Sequence, residues 1–257
     1  MMKTTPNHHQ HVVEQFGAQA QHYLNSAVHA QGKDLTWLEE RLAAFPDAHI
    51  IDVGCGAGHA SFVAAQQVAR VTAYDLSTEM LNVVAQTAQQ RGLNNIHTQH
   101  GHAKSLPFAS ASADMVISRY SAHHWHDVGR ALREIQRVLK PGGTVILMDV
   151  VSPGHPVLDI YLQTVEMLRD TSHVRNYAPG EWMTMLTEAG FAIRQLQADK
   201  LPLEFSSWIA RMRTPPHFST AILALQKTLS TEVIDYFAIQ ADGSFSTDIM
   251  TIEAQRA

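Results

Sequence analysis

The sequence predicts an α/β fold: a doubly wound, seven-stranded, mostly parallel sheet. Three observations carry that prediction. Residues His49 to Gly58 (HIIDVGCGAG) pass from an apolar run, through glycines at alternate positions, into an Ala-rich stretch, which reads as strand, tight turn and helix. Between residues 49 and 150, short apolar runs alternate with segments of helical period, the pattern of successive βαβ units. The run RVTAYD then ends on an acid, Asp75, 21 residues after Gly54. A doubly wound sheet places such a strand tip beside the crevice at the carboxyl ends of its strands.

The elements follow in order. Residues 7–45 have apolar positions at three- and four-residue spacing, broken at Gly17, with a second helix from about Lys33 to Phe45 that Pro46 stops. These helices precede the first strand and are expected to act as a cap. The helix after Gly58 runs to about Val68, and Arg70 to Asp75 is strand two. Ser77 caps a helix from Thr78 to Arg91, ended by Gly92. Asn95 to His100 is strand three and Ser112 to Ser118 strand four. Asp127 to Lys140 carries the clearest helical stripe (Val128, Ala131, Leu132, Ile135, Val138, Leu139). Lys140-Pro141-Gly142-Gly143 reads as a turn before strand five, Thr144 to Val150. Residues 153–190 are helical, Phe191 to Asp199 is strand six, residues 203–240 form a helical insertion, and Phe245 to Ala254 is the last strand.

Composition narrows the class. The 257 residues are 45% hydrophobic and 17% charged, as in one globular domain with a cap, read as spanning 1–257 around a core at 49–150. A net charge of −5 argues against nucleic acid as the main partner. No apolar run reaches the roughly 18–20 residues of a membrane span, and residues 1–10 lack the apolar core of a signal peptide. The single cysteine, Cys55, excludes an internal disulfide. A cytoplasmic protein of unspecified oligomeric state is expected, with His8, His9 and His11 solvated near the terminus.

Four stretches go further: Asp52-x-Gly54-x-Gly56-x-Gly58, Gly101-His-Ala-Lys-Ser-Leu-Pro-Phe108, the His123-His124 pair after strand four, and Leu139-Lys-Pro-Gly-Gly143. In this order they resemble the class I methyltransferases that use S-adenosyl-L-methionine (SAM), and among these the small-molecule, type 11 group related to the ubiquinone/menaquinone C-methyltransferases. The resemblance spans Asp52 to about Val150. It implies a final antiparallel strand entering between strands five and six, SAM as cofactor and S-adenosylhomocysteine as product. It implies a glycine turn (Gly54, Cys55, Gly56, Gly58) under the methionine moiety, beside Asp52. The family's adenine-binding Asp is here His102, with the Ala103 N–H beside it. Leu76, Met80 and Arg119 complete the expected cofactor set.

Asp75 has two acceptor oxygens, which suits a cis-diol such as ribose, the favoured reading; a helix N-cap or a solvated loop acid is the alternative. Three readings meet on the His-rich loop: a general base, a metal site and a structural loop. Neither a Cys set nor an H-E-x-x-H pattern supports a metal. The order of candidates for a base is His124, His123, Tyr120. Tyr23, His29, Trp125, Trp208 and Arg211 are candidates for the substrate pocket, ordinary core packing being the alternative for each. The acceptor is expected to be a small, partly hydrophobic molecule, with C-, O- or N-methylation open. Two other classes remain: a non-catalytic SAM sensor or scaffold, and a nicotinamide-dependent oxidoreductase on the same kind of sheet. His59, which stands where the dinucleotide fingerprint needs its third small residue, argues against the latter.

Overall fold

The computed structural model describes residues 7–17, 20, 24 and 32–257. Among these, seven strands form one sheet: β1 (His49–Val53), β2 (Arg70–Asp75), β3 (Ile96–His100), β4 (Ala113–Arg119), β5 (Leu139–Val151), β6 (Phe191–Leu203) and β7 (Phe245–Arg256). Their spatial order is β3-β2-β1-β4-β5-β7-β6. β1 to β5 pair in parallel, and β7 lies antiparallel between β5 and β6. The strand order reverses at β1, so the crevice opens above the carboxyl ends of β1, β2 and β4.

Alternation along the strands builds the two cores. Ile50, Met115, Ile117, Ile146 and Met148 face one side, where they meet α2 (Lys33–Leu42) and α3 (His59–Ala65) through Leu35, Leu38, Leu42, Ala60 and Ala64. Their neighbours Ile51, Val116, Val145 and Leu147 point to the other side, against Leu132 and Ile135. Those two belong to α5 (Val128–Val138), which places Val128, Ala131, Leu132, Ile135 and Val138 on one buried stripe. The Asp127 side chain caps α5 by accepting the Arg130 N–H at 2.9 Å. Each fully buried Leu or Ile on that stripe contributes about 1.5–3 kcal/mol. Between them, α4 (Thr78–Gln90) carries the predicted Ser77 cap, whose Oγ accepts the Met80 N–H.

Beyond β5 lie α6 (Pro156–Arg169) and α7 (Pro179–Glu188), and beyond β6 the short helices α8 (Phe205–Arg211), α9 (Pro216–Gln226) and α10 (Thr231–Phe237). A third apolar cluster joins α6 (Leu158, Tyr161, Leu162, Val165) to Phe205, Trp208, Ile222, Val233 and Phe237. The helix expected to reach Lys140 ends at Val138, and the Lys140–Gly143 stretch, expected as a turn, lies inside β5. Leu139 pairs with Ala113 before the register shifts, and a Cβ at Gly143 would lie 2.9 Å from the Lys140 carbonyl oxygen. The glycine therefore admits a bulged strand rather than ending a helix. β6 also runs four residues past Asp199, along the full length of β7.

Candidate active site

Above the carboxyl ends of β1, β2 and β4 lies a cavity of about 1230 Å³, counted out to its open mouth. Its floor is the β1–α3 turn. Gly54 N and Cys55 N donate to the Tyr74 carbonyl at 2.8 and 3.1 Å, which folds the turn back onto β2. A side chain at Gly54 would strike Ser121 Oγ, whereas a Cβ at Gly56 meets nothing within 4 Å. Both glycines have positive φ. Gly58 does not line the cavity. Its missing Cβ makes room for Val84 and Phe62, so its role is in packing.

Two carboxyl groups border this floor. Asp75 is braced on both oxygens: Oδ2 accepts the Gly56 N–H at 2.8 Å and Oδ1 the Ser77 N–H at 2.8 Å. Each oxygen keeps further acceptor capacity. Burial raises the Asp75 pKa, opposed by those backbone donors. Asp52 accepts from Ser61 Oγ at 2.6 Å through Oδ2, while its buried Oδ1 has no partner among the described residues. Burial lifts the Asp52 carboxyl to about 7 against that hydrogen bond.

Leu76, Met80, His102, Ala103 and Arg119 also line the cavity, with Tyr120, His124 and Trp125. Burial, followed by the Lys104 charge, lowers the His102 pKa, and its buried Nδ1 has no partner among the described residues. Leu106 and Phe108 belong to the core instead. Arg119 is held by Asp34 of α2 in a buried ion pair and lies 4.5 Å over the Tyr120 ring. Tyr120 has φ 50°. Burial raises its phenol pKa, which keeps it protonated.

The roof is α1 (His8–Gly17), which contributes His9, Val12, Val13 and Phe16. Its histidines are half-buried rather than solvated, contrary to expectation. His8 Nε2 lies 3.0 Å from the His124 carbonyl oxygen, His11 Nε2 lies 2.7 Å from Thr171 Oγ1, and the His9 and His102 rings are 4.5 Å apart. Nearness in sequence to the terminus had suggested solvent; the roof position overrides it. Tyr23 and His29 lie outside the described residues.

His123, Trp208 and Arg211 do not reach this cavity. They line a second one of about 570 Å³, likewise counted out to its open mouth, which shares Phe16, Tyr120 and His124 with the first. The two histidines differ sharply. His123 Nδ1 lies 2.6 Å from Asp149 Oδ1, while Asp149 Oδ2 accepts the Ala122 N–H. Burial disfavours the His123 imidazolium, but Asp149, together with the Glu166 and Asp170 charges, outweighs it and raises the pKa. His124 Nδ1 donates to the Ser172 carbonyl at 3.1 Å, and its Nε2 stands 3.8 Å from Asp170. Burial and then the neighbouring His123 charge lower the His124 pKa. Asp149, absent from the sequence reading, was signalled only by an acid near the end of the apolar strand TVILMDV.

Residues 51–147 match the family model of the methyltransferase domain. An uncharacterised Escherichia coli (strain K12) protein, YafE, is 62% identical over 79% of this chain and 99% of its own length. The uncharacterised methyltransferase YcgJ of Bacillus subtilis (strain 168) is 36% identical over 87% of this chain and 88% of its own length. The YcgJ crystal structure superposes with a TM-score of 0.83, covering 86% of this chain and 97% of that one. The glycine turn, the braced strand-two acid and the full-length likeness agree: this chain belongs to the methyltransferase family.

Proposed function

We propose that the chain is a SAM-dependent methyltransferase acting on a small, partly apolar acceptor. The observation that carries this reading is Asp75, fixed on both oxygens at the rim of the first cavity and directly beside the Gly54–Gly56 turn. A carboxylate so braced suits a ribose diol. The lining fits the rest of SAM. Gly56 leaves open space, Asp52 Oδ1 is an unpaired acceptor for an ammonium, and neutral His102 offers Nδ1 to an adenine amine. Bound there, SAM supplies a sulfonium-activated methyl group.

The residues then align and exclude water. Good alignment of two reactants supplies roughly 7–11 kcal/mol of a barrier. His123 is better suited than His124 to remove a proton from the acceptor, because Asp149 fixes its tautomer and supports its charge. Tyr120 serves as a wall. This oriented pair also favours turnover over a sensor, which needs no base.

Titration calorimetry of the native chain and Asp75→Ala with SAM, S-adenosylhomocysteine and NADH tests the reading. Expected are SAM binding by the native chain, at least ~10-fold weakening in Asp75→Ala from loss of charge-assisted hydrogen bonds, and no NADH binding. NADH binding without SAM binding would hand the site to a nicotinamide oxidoreductase. A chain that binds SAM yet methylates no acceptor would be a sensor.

A further inference from the structure

We propose that the second cavity is the acceptor site, and that it takes a small, largely apolar molecule with two neighbouring oxygens: a hydroxyl set against His123 and a carbonyl-type oxygen set against the Asn176 amide. The proposal rests on the methyltransferase reading and deepens it.

The walls set the class. Phe16, Val150, Leu201, Leu203 and Trp208 give its apolar walls, and Glu166, Arg169, Asp170 and Arg211 line it beside them. Two of the charged groups that line it are engaged elsewhere. Arg169 pairs with Glu166 at 3.2 Å, and its Nε donates to the Trp208 carbonyl at 3.0 Å. Asp170 Oδ1 accepts from both the backbone N–H and the hydroxyl of Ser172. Asn176 differs. It is 1% exposed, and its Nδ2 has no hydrogen-bond partner among the described residues. Its backbone is clamped by one side chain: Asn176 N donates to Gln163 Oε1 at 3.1 Å, and Gln163 Nε2 donates to the Asn176 carbonyl at 2.7 Å. A fixed, buried, unsatisfied N–H2 is a ready donor for a ligand. That N–H2 only donates, so the ligand atom it meets is an acceptor such as a carbonyl-type oxygen.

His123 belongs to the same wall. Its carbonyl accepts the N–H groups of Val174 and Arg175 at 2.9 and 3.2 Å, which ties the loop carrying Asn176 to the His123 turn. Gln163 also holds the His173 ring at 3.0 Å. With Nδ1 against Asp149, His123 keeps Nε2 for a ligand hydroxyl. In the reaction the hydroxyl proton passes to Nε2 as the oxygen forms its bond to the methyl carbon. The methyl–sulfur bond breaks with its electron pair on sulfur, which leaves a neutral thioether, and the imidazolium returns its proton to solvent. The walls shared with the first cavity, Phe16, Tyr120 and His124, put the two reactants side by side.

The test uses the full chain loaded with S-adenosylhomocysteine and titrated with ortho-hydroxyacetophenone, acetophenone and benzylamine. Two variants accompany it: Asn176→Asp, which replaces the donor, and Leu201→Trp, which fills the cavity. We expect ortho-hydroxyacetophenone to bind best and each variant to weaken it about 10-fold or more, as for loss of a buried hydrogen bond or of space. S-adenosylhomocysteine affinity should stay unchanged in both. If the product cofactor binds but the hydroxyketone does not, or binds both variants as well as native, this assignment is overturned while the methyltransferase reading stands. If the native chain binds no S-adenosylhomocysteine, both fall.

Discussion

Asp52 has one oxygen committed to Ser61 and one uncommitted, and its carboxyl sits at about 7 because burial disfavours the charge. A cationic ligand beside it stabilises the carboxylate, so binding expels a proton wherever the free protein still holds one. Affinity for SAM should therefore rise with pH through about 7. Calorimetry in buffers of differing ionisation enthalpy should show proton release at pH 6 and little at pH 8.5, and Asp52→Asn should abolish the difference. The residues at the floor and rim of the first cavity were legible because they are local: a strand tip, a glycine turn and two loops, each a few residues long. His123–Asp149 and Asn176 were not legible as partners. Their meeting depends on the packing of β5, α6 and the 170–178 loop, and no periodicity records that.

At the scale of elements, strands were read well and helix ends less so. β2 was placed to the residue because an apolar run and an acid bound it. β5 was begun late because Pro-Gly-Gly chemistry reads as a turn even where it forms a bulged strand. α1 was read as a helix of the cap, but the histidines of this roof were read as solvated, since they carry no signal of what faces them. That roof should loosen in acid. His9 faces His102, Lys104 and His126, His8 the His124 carbonyl and the His126 ring, and His11 the Thr171 hydroxyl. Burial and then His102, Lys104, His8 and His126 lower the His9 pKa to about 4. The packed state thus prefers neutral His9, while a released helix titrates near 6.5. Packing weakens as pH falls from about 6.5 to 4. Hydrogen exchange should accelerate across residues 8–17 in that window while β1 and β4 stay protected, and His9→Leu should flatten the response.

Across the whole molecule, the buried Asp34–Arg119 pair ties α2 to the central strand β4. Asp34→Ala leaves a guanidinium buried without its carboxylate and should cost about 3–5 kcal/mol in urea denaturation. Replacing exposed Asp199, which pairs with Lys33, should cost under about 1 kcal/mol. The common wall of Phe16, Tyr120 and His124 carries a consequence of another kind. Any rearrangement of these three side chains that one occupant induces alters the free energy of the other chamber. By thermodynamic reciprocity, if a filled first chamber tightens the second by some factor, a filled second chamber tightens the first by the same factor. The protein would then hold the spent thioether more tightly while methylated product is still in place.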